Sequence, residues 1–158
     1  MARVFIGLGS NEGDRLQLIS RAARALAKTS GITPIQMATI VETEPMGGPP
    51  QGPYLNTVLE LDTTLGPRAL LNACQEIERQ LGRQPSAQRW GPRPIDLDLL
   101  LYEDRVMDEP GLTIPHSRLH ERRFVLEPLA QLAPEFVHPV LHQSITALLQ
   151  KCQALSAS

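Results

Sequence analysis

The stretch IQMATIVETEPMGGPPQGPYLNTVLELD, residues 35–62, decides how this chain can fold. In its second half, Tyr54 to Asp62, Leu55, Thr57, Leu59 and Leu61 fall on one face and Tyr54, Asn56, Val58 and Glu60 on the other, the period of a half-buried β-strand. Its first part, residues 35–43, reads as another strand. Between them PMGGPPQGP, residues 45–53, carries four prolines and three glycines, too many breakers for a helix. Two parallel neighbours would need a crossover of roughly a dozen residues or more, usually helical. The two strands are therefore expected to run antiparallel, with a loop between them of the kind that often covers a site.

Outward from this core the pattern alternates. Val4 to Leu8 is a short apolar strand that ends in Gly9, Ser10 and Asn11, and Leu16, Ile19, Ala23 and Leu26 follow at helical spacing, with Asn11 or Ser10 expected near the helix cap. Pro67 opens a second helix whose stripe is Leu70, Cys74, Ile77 and Leu81, with Gly82 as the stop. Ile95 to Tyr102 reads as a fourth strand, Arg105 to Met107 as a short fifth, and residues 116–132 and 143–152 as helices. The class this predicts is α+β, a sandwich with a largely antiparallel sheet whose strand count resembles a ferredoxin-like plait. A doubly wound parallel sheet does not fit, because the links between strands two and three and between four and five are too short or too Pro-rich for crossover helices.

Composition narrows the class of function. The 158 residues suit one domain, 1–158, with 42% hydrophobic and 20% charged residues and a net charge of -2. That balance lacks the basic excess of a nucleic-acid binder, so no nucleic-acid partner is expected and a polyanionic ligand has to be met locally. There is no basic-then-apolar leader and no apolar run of membrane-spanning length, which predicts a cytoplasmic protein with no membrane partner. Nothing marks a large exposed apolar face, and a monomer is the default. Cys74 and Cys152 form no CxxC arrangement and read as reduced, structural thiols.

The polar residues that carry chemistry cluster in RWGPRPIDLDLLLYED, residues 89–104. Asp96 and Asp98 interrupt an apolar run, and a buried bare carboxylate is costly. On a strand they share a face, about 7 Å apart at their Cα atoms, opposite Ile95, Leu97, Leu99 and Leu101. Two readings follow. The pair guards an edge strand against aggregation, or it holds divalent cations, since Mg²⁺ typically takes one or two carboxylates plus water and substrate phosphates. Arg79, Arg83, Arg89 and Arg93 precede the pair with no acidic residue from Arg79 to Ile95, an order that suits a metal-bound polyphosphate. Trp90, the one tryptophan, falls in the same segment, where stacking or a lid role competes with packing. Tyr54 and Asn56 share the polar face of their strand, an aromatic ring and an amide suited to a flat heterocycle, or simply the wet side of a sheet.

Other motifs fail. GLGSNEG, residues 7–13, is one residue too long for the dinucleotide fingerprint and reads as a strand-to-helix turn; no P-loop and no G-x-S-x-G occur. His116 and His120 have the spacing of a zinc motif, but Ser117 replaces its glutamate, so zinc is not expected.

RWGPRPIDLDLL, residues 89–100, resembles the signature of the 6-hydroxymethyl-7,8-dihydropterin pyrophosphokinases of folate biosynthesis. The IGLGSN start, the run from Glu42 to Asn56, IERQLGR, LTIPH at 112–116 and ERRFVLEPLAQLAPE extend the likeness along nearly the whole chain. The resemblance implies a ferredoxin-like α/β/α scaffold, ATP and 6-hydroxymethyl-7,8-dihydropterin as small-molecule substrates, two Mg²⁺ ions, and AMP as product. It assigns Asp96 and Asp98 to the metals and, with Arg83 and Arg93 as phosphate clamps, to catalysis. Thr43, Pro45, Met46, Tyr54, Asn56, Trp90 and Phe124 would meet the pterin; Glu78, Arg83, Arg89, Trp90, Arg93, His116 and Arg122 would meet ATP. Glu44, Pro85, Gly111 and Ser117 depart from residues common in that family. Another phosphoryl-transfer enzyme with the same metal pair, or a non-catalytic domain with guarded edges, would share the aspartates and differ in the products formed from ATP.

Overall fold

The computed structural model describes residues 1–44, 52–82 and 94–156. The elements among them are β1 (Ala2–Ser10), α1 (Arg15–Ala27), β2 (Ile32–Met37), β3 (Val41–Thr43), β4 (Tyr54–Thr63), α2 (Pro67–Gln80), β5 (Asp96–Tyr102), β6 (Met107–Glu109), β7 (Leu112–Ile114), α3 (Arg123–Leu132) and α4 (Ile145–Ser156), with a 3₁₀ turn at Leu119–Glu121. The main sheet runs β2-β4-β1-β5, β3 also pairs with β4, and every pairing is antiparallel. Each of α1 and α2 thus joins two strands that have a third strand between them, the split βαβ arrangement of ferredoxin-like folds. The antiparallel pairing expected across the Pro/Gly stretch is present, and so is the α/β/α sandwich.

Period-two alternation sends side chains to both faces of the sheet, and each face has its own core. On one side Val4, Ile6, Leu8, Leu59, Leu61, Leu97 and Leu99 pack against Ile19 and Leu26 of α1 and Leu70, Cys74 and Ile77 of α2. On the other, Phe5, Val58, Leu100 and Leu101 pack against Leu126 and Leu129 of α3 and Ile145 and Leu148 of α4. Cys74 and Cys152 are both buried thiols. Burial first, and then the carboxylates of Glu78 and Asp98, push the Cys74 thiol up to about 12, so it is held as an unreactive neutral group.

Several local expectations need correction. Residues 35–43 are not one strand: Ala38 to Ile40 separate β2 from β3, although the Ala38 N–H still donates to Val58 O at 2.9 Å and Ala38 O accepts from Thr57 Oγ1 at 2.8 Å. Pro34, which has no N–H, lies where the β2–β4 register shifts, on an edge strand that tolerates it. The first strand continues through Gly9 to Ser10, and α1 is capped by Asp14, whose carboxylate accepts from Gln17 N–H, rather than by Ser10 or Asn11. The short fifth strand falls at Met107–Glu109 and forms a separate hairpin with Leu112–Ile114. Helix does not begin at residue 116 but at Arg123, because Arg122 is extended. Leu101 is not opposite the aspartates. The β1–β5 register shifts between Phe5 and Ile6, and the extra residue sends Leu101 to the same core as Phe5.

Phe5 joins the sheet to the α3/α4 layer. It is fully buried and meets Phe136 edge to face, ring centroids 5.4 Å apart. Phe5→Ala is expected to lower the unfolding free energy by about 3–5 kcal/mol, read from urea denaturation; a loss of less than about 1 kcal/mol would mean that this layer contributes little to the fold.

Candidate active site

β1 is the middle of the site because it is hydrogen-bonded on both sides. Its register places Gly9 opposite Asn56 of β4 and Asp96 of β5, and Gly7 opposite Val58 and Asp98. The two faces fix which way these side chains go. Val58 and Leu100 belong to the α3/α4 core while Leu97 and Leu99 belong to the other, so Asn56, Asp96 and Asp98 share the α3/α4 face by alternation. A Cβ built on Gly9 would point at Asn56 Oδ1 and the Tyr54 ring, which puts Tyr54 there too. Tyr54, Asn56, Asp96 and Asp98 are all half-buried. They form a polar region at the end of a face whose remainder is apolar core.

The sides of this region come from three elements. Thr43, paired with Tyr54 across β3 and β4, accepts a hydrogen bond from Asn56 Nδ2 at 2.7 Å, which fixes the amide. Phe124, in the first turn of α3, packs at the rim of the second core, and α3 lies over β4 and β3. The Arg122 guanidinium carbon lies 5.7 Å from the Phe124 ring centroid, and its Nε–H is a buried donor with no acceptor among the described residues. Gly52 and Pro53, just before β4, are anchored by two residues that the sequence does not single out for the site. Asn11 Nδ2 donates to Gly52 O at 3.2 Å and Arg15 Nη1 to Pro53 O at 2.8 Å.

Two of the expected ATP-binding residues occupy the flank of β5. The His116 N–H donates to Leu100 O at 2.9 Å, and its ring Nδ1 accepts from the Arg118 N–H. Glu78 is 6% exposed and its Oε2 accepts from Leu97 N–H at 2.8 Å, between the two aspartates in sequence. The structure therefore brings Glu78 to the backbone of β5 from the α2 side, where it holds the strand that carries the aspartates. β5 is an edge strand, the condition the charge-guard reading requires. Its backbone is already engaged by His116 and Glu78, however, so two further charges are not needed to protect it. Of the other expected residues, Pro45, Met46, Arg83, Arg89, Trp90 and Arg93 lie outside the described residues.

Titration follows from these surroundings. Burial first, then the cationic side chains of Arg122 and Arg118, lower His116 to about 4 from its ordinary 6.5, against a smaller upward pull from Asp96. His116 is thus a neutral imidazole with Nδ1 as acceptor, and the Nε2–H is its donor. Asp96 and Asp98 offer hard oxygen donors, and no cluster of three or more His, Cys, Asp or Glu side chains suited to a metal occurs among the described residues. That donor set fits Mg²⁺, which completes its coordination from water and phosphate.

A half-buried carboxylate pair facing an amide, two aromatic rings and an unsatisfied arginine donor across a ferredoxin-like sheet defines a candidate site for a phosphate-bearing ligand and a flat partner. The family model of 7,8-dihydro-6-hydroxymethylpterin-pyrophosphokinase matches residues 5–134. The chain is 42% identical to the 2-amino-4-hydroxy-6-hydroxymethyldihydropteridine pyrophosphokinase of Methylorubrum extorquens, over 87% of this chain and 86% of that protein. Its identity to the Bacillus subtilis protein of the same name is 40%, over 83% and 78%. It is also 44% identical to the folic acid synthesis protein fol1 of Schizosaccharomyces pombe, over 93% of this chain but only 20% of that longer protein. Among solved structures, the HPPK-DHPS of Plasmodium falciparum superposes with a TM-score of 0.73 at 16% identity, covering 95% of this chain and 42% of that one, a likeness of fold. This chain belongs to the 7,8-dihydro-6-hydroxymethylpterin-pyrophosphokinase family.

Two outcomes test the flank of β5. Glu78→Ala leaves Leu97 N–H buried without its acceptor and is expected to cost about 1–3 kcal/mol, whereas Glu78→Gln keeps an acceptor oxygen and loses less; equal losses in chemical denaturation would contradict the hydrogen-bond role. Because the folded-state value of His116 lies below its ordinary one, the unfolded chain binds the proton more readily. Its contribution to stability is present above about pH 6.5 and lost as the pH falls toward about 4. The stability difference between the wild type and His116→Gln is expected to shrink over that window, measured by denaturant unfolding at successive pH values; a constant difference would contradict the assignment.

Proposed function

We propose that the protein transfers pyrophosphate from ATP to the hydroxymethyl group of 6-hydroxymethyl-7,8-dihydropterin, a step of tetrahydrofolate biosynthesis, giving the pterin diphosphate and AMP. The row Asn56–Gly9–Asp96, which spans the sheet from an amide to a carboxylate, carries this reading. It rests also on the family and on relatives whose names state the same activity.

The residues divide the work. Asn56, its amide fixed by Thr43, reads the polar edge of the pterin, while Tyr54 and Phe124 take its ring faces. Held there, the ring directs its hydroxymethyl arm across β1 toward Asp96 and Asp98. These two carboxylates would hold the Mg²⁺ ions, which when bound neutralise triphosphate charge. Arg122, with its unsatisfied Nε–H, and His116, as a neutral donor, serve the nucleotide from beyond β5. By resemblance, Arg83 and Arg93 clamp phosphates, Arg89 and Trp90 close over the reactants, and Pro45 and Met46 complete the pterin pocket. The hydroxymethyl oxygen forms a bond to the β-phosphorus, the bond from that phosphorus to the α–β bridging oxygen breaks, AMP leaves, and the hydroxyl proton passes to solvent. None of the described residues near the arm is a strong base, so positioning and charge stabilisation supply most of the rate. We place the reaction in the cytoplasm and in a monomer; no helix among the described residues is long and apolar enough to cross a membrane.

Incubation with ATP, Mg²⁺ and the pterin is expected to yield AMP and pterin diphosphate one for one, and nothing without pterin. Asp96→Asn and Asp98→Asn should each lower kcat by about 10²-fold or more. Pterin-dependent ADP would place the attack at the wrong phosphorus, and turnover untouched by either substitution would return the aspartates to an edge-guarding role.

A further inference from the structure

β3 is thinly supported by apolar contact. It has three residues, Val41 to Thr43, paired with Asn56, Leu55 and Tyr54 of β4, and none of the three is fully buried. Side chains from two helices hold it instead. Just before it, the Thr39 N–H donates to Gln131 Oε1 of α3 at 2.9 Å. At its other end a single guanidinium bridges it to the start of β4. Arg15 Nη2 donates to Glu42 Oε2 at 3.2 Å and Nη1 to Pro53 O at 2.8 Å, while Asn11 Nδ2 reaches Gly52 O at 3.2 Å. The turn after β1 puts Arg15 in place. Gly13, at a φ of 74°, leads the chain into α1, Asp14 caps the helix, and Arg15 is its first residue, fixed on an element other than the two it joins.

We infer that Arg15 is a positioning residue for the proposed reaction: by clasping Glu42 to Pro53 it holds Thr43 against Asn56, and so sets the amide that reads the pterin. Resting on the proposed function, this role adds to it a side chain that acts through Glu42 and Thr43 rather than on substrate. The link is short. Thr43 follows Glu42 directly, and its Oγ1 accepts from Asn56 Nδ2 at 2.7 Å, which fixes the end of the amide that donates. When β3 parts from β4 the amide is free to turn over and to offer the pterin edge an acceptor in place of a donor. Ion pairs between partly exposed side chains add little to global stability, and this is such a pair, with Arg15 29% and Glu42 57% exposed. Its effect is local. The clasp sets the fraction of molecules in which Thr43 and Asn56 stand in register, and apparent affinity scales with that fraction.

The test pairs amide hydrogen exchange of the ligand-free protein with steady-state kinetics at saturating ATP and Mg²⁺, on the wild type, Arg15→Met, Arg15→Lys and Glu42→Gln. Arg15→Met should speed exchange at Val41–Thr43 about tenfold and raise KM for the pterin about tenfold. Exchange in β1, kcat and the affinity for a non-hydrolysable ATP analogue should stay within about threefold. Arg15→Lys, which keeps the charge, should recover part of both losses, and Arg15→Met/Glu42→Gln should be no worse than Arg15→Met, because the two changes remove one clasp. Unchanged exchange, or faster exchange with unchanged pterin KM, would overturn the inference and leave the pyrophosphokinase reading standing. Losses in kcat and analogue affinity as large as the change in pterin KM would overturn it too, as the mark of a general disturbance. A wild type that does not convert the pterin would overturn the proposed function and this role with it, whatever the exchange rates.

Discussion

The register of β1 against its two neighbours is the constraint on which the site depends. Antiparallel pairing on both sides fixes Gly9 between Asn56 and Asp96, and Gly7 between Val58 and Asp98. A slip of one residue would send every one of these side chains to the other face. The slip is blocked by the sheet's two cores, since Val4, Ile6 and Leu8 on one side and Phe5 on the other cannot exchange without exposing both sets. Hydrophobic burial therefore aims the polar residues, which gain nothing by pairing in isolation.

Around that register the structure keeps its charged groups supported through backbone. Glu78 holds the Leu97 N–H and the His116 N–H holds the Leu100 carbonyl, so both act on the strand that carries Asp96 and Asp98. A carboxylate pair on a strand fixed in this way is preorganised, and metal-assisted phosphoryl chemistry depends chiefly on preorganisation. Neutral His116 stands beside the same strand: burial and two arginines keep it uncharged next to the site proposed to receive a polyanion and its metals.

Most of the fold was legible because its signals are local. The alternation of Tyr54–Asp62, the breakers before it and the stripes of α1 and α2 each report one element, and the short links leave an antiparallel sheet as the outcome. The misses are places where long-range pairing overrides local pattern. The break at Ala38–Ile40 is made by hydrogen bonds to Thr57 and Val58, and the reversal of Leu101 by a bulge opposite Phe5 and Ile6. In the site, Asp96, Asp98, Tyr54 and Asn56 could be grouped by strand period alone. That the two pairs face each other across Gly9 could not, because strand order is not written in either segment. The resemblance assigns Glu78 to ATP; only the packing of α2 under β5 shows that its carboxylate accepts from the Leu97 N–H.

The proposed function stands or falls on Asp96 and Asp98 acting together as a metal-holding pair for a nucleotide bound against the sheet. The most direct measurement is Mn²⁺ binding followed by electron paramagnetic resonance, with and without a non-hydrolysable ATP analogue, on the wild type, Asp96→Asn and Asp98→Asn. Two Mn²⁺ ions per chain are expected in the presence of the analogue, with loss of tight binding in either variant without loss of fold. The same analogue-dependent stoichiometry and affinity in wild type and both variants would contradict the proposed function.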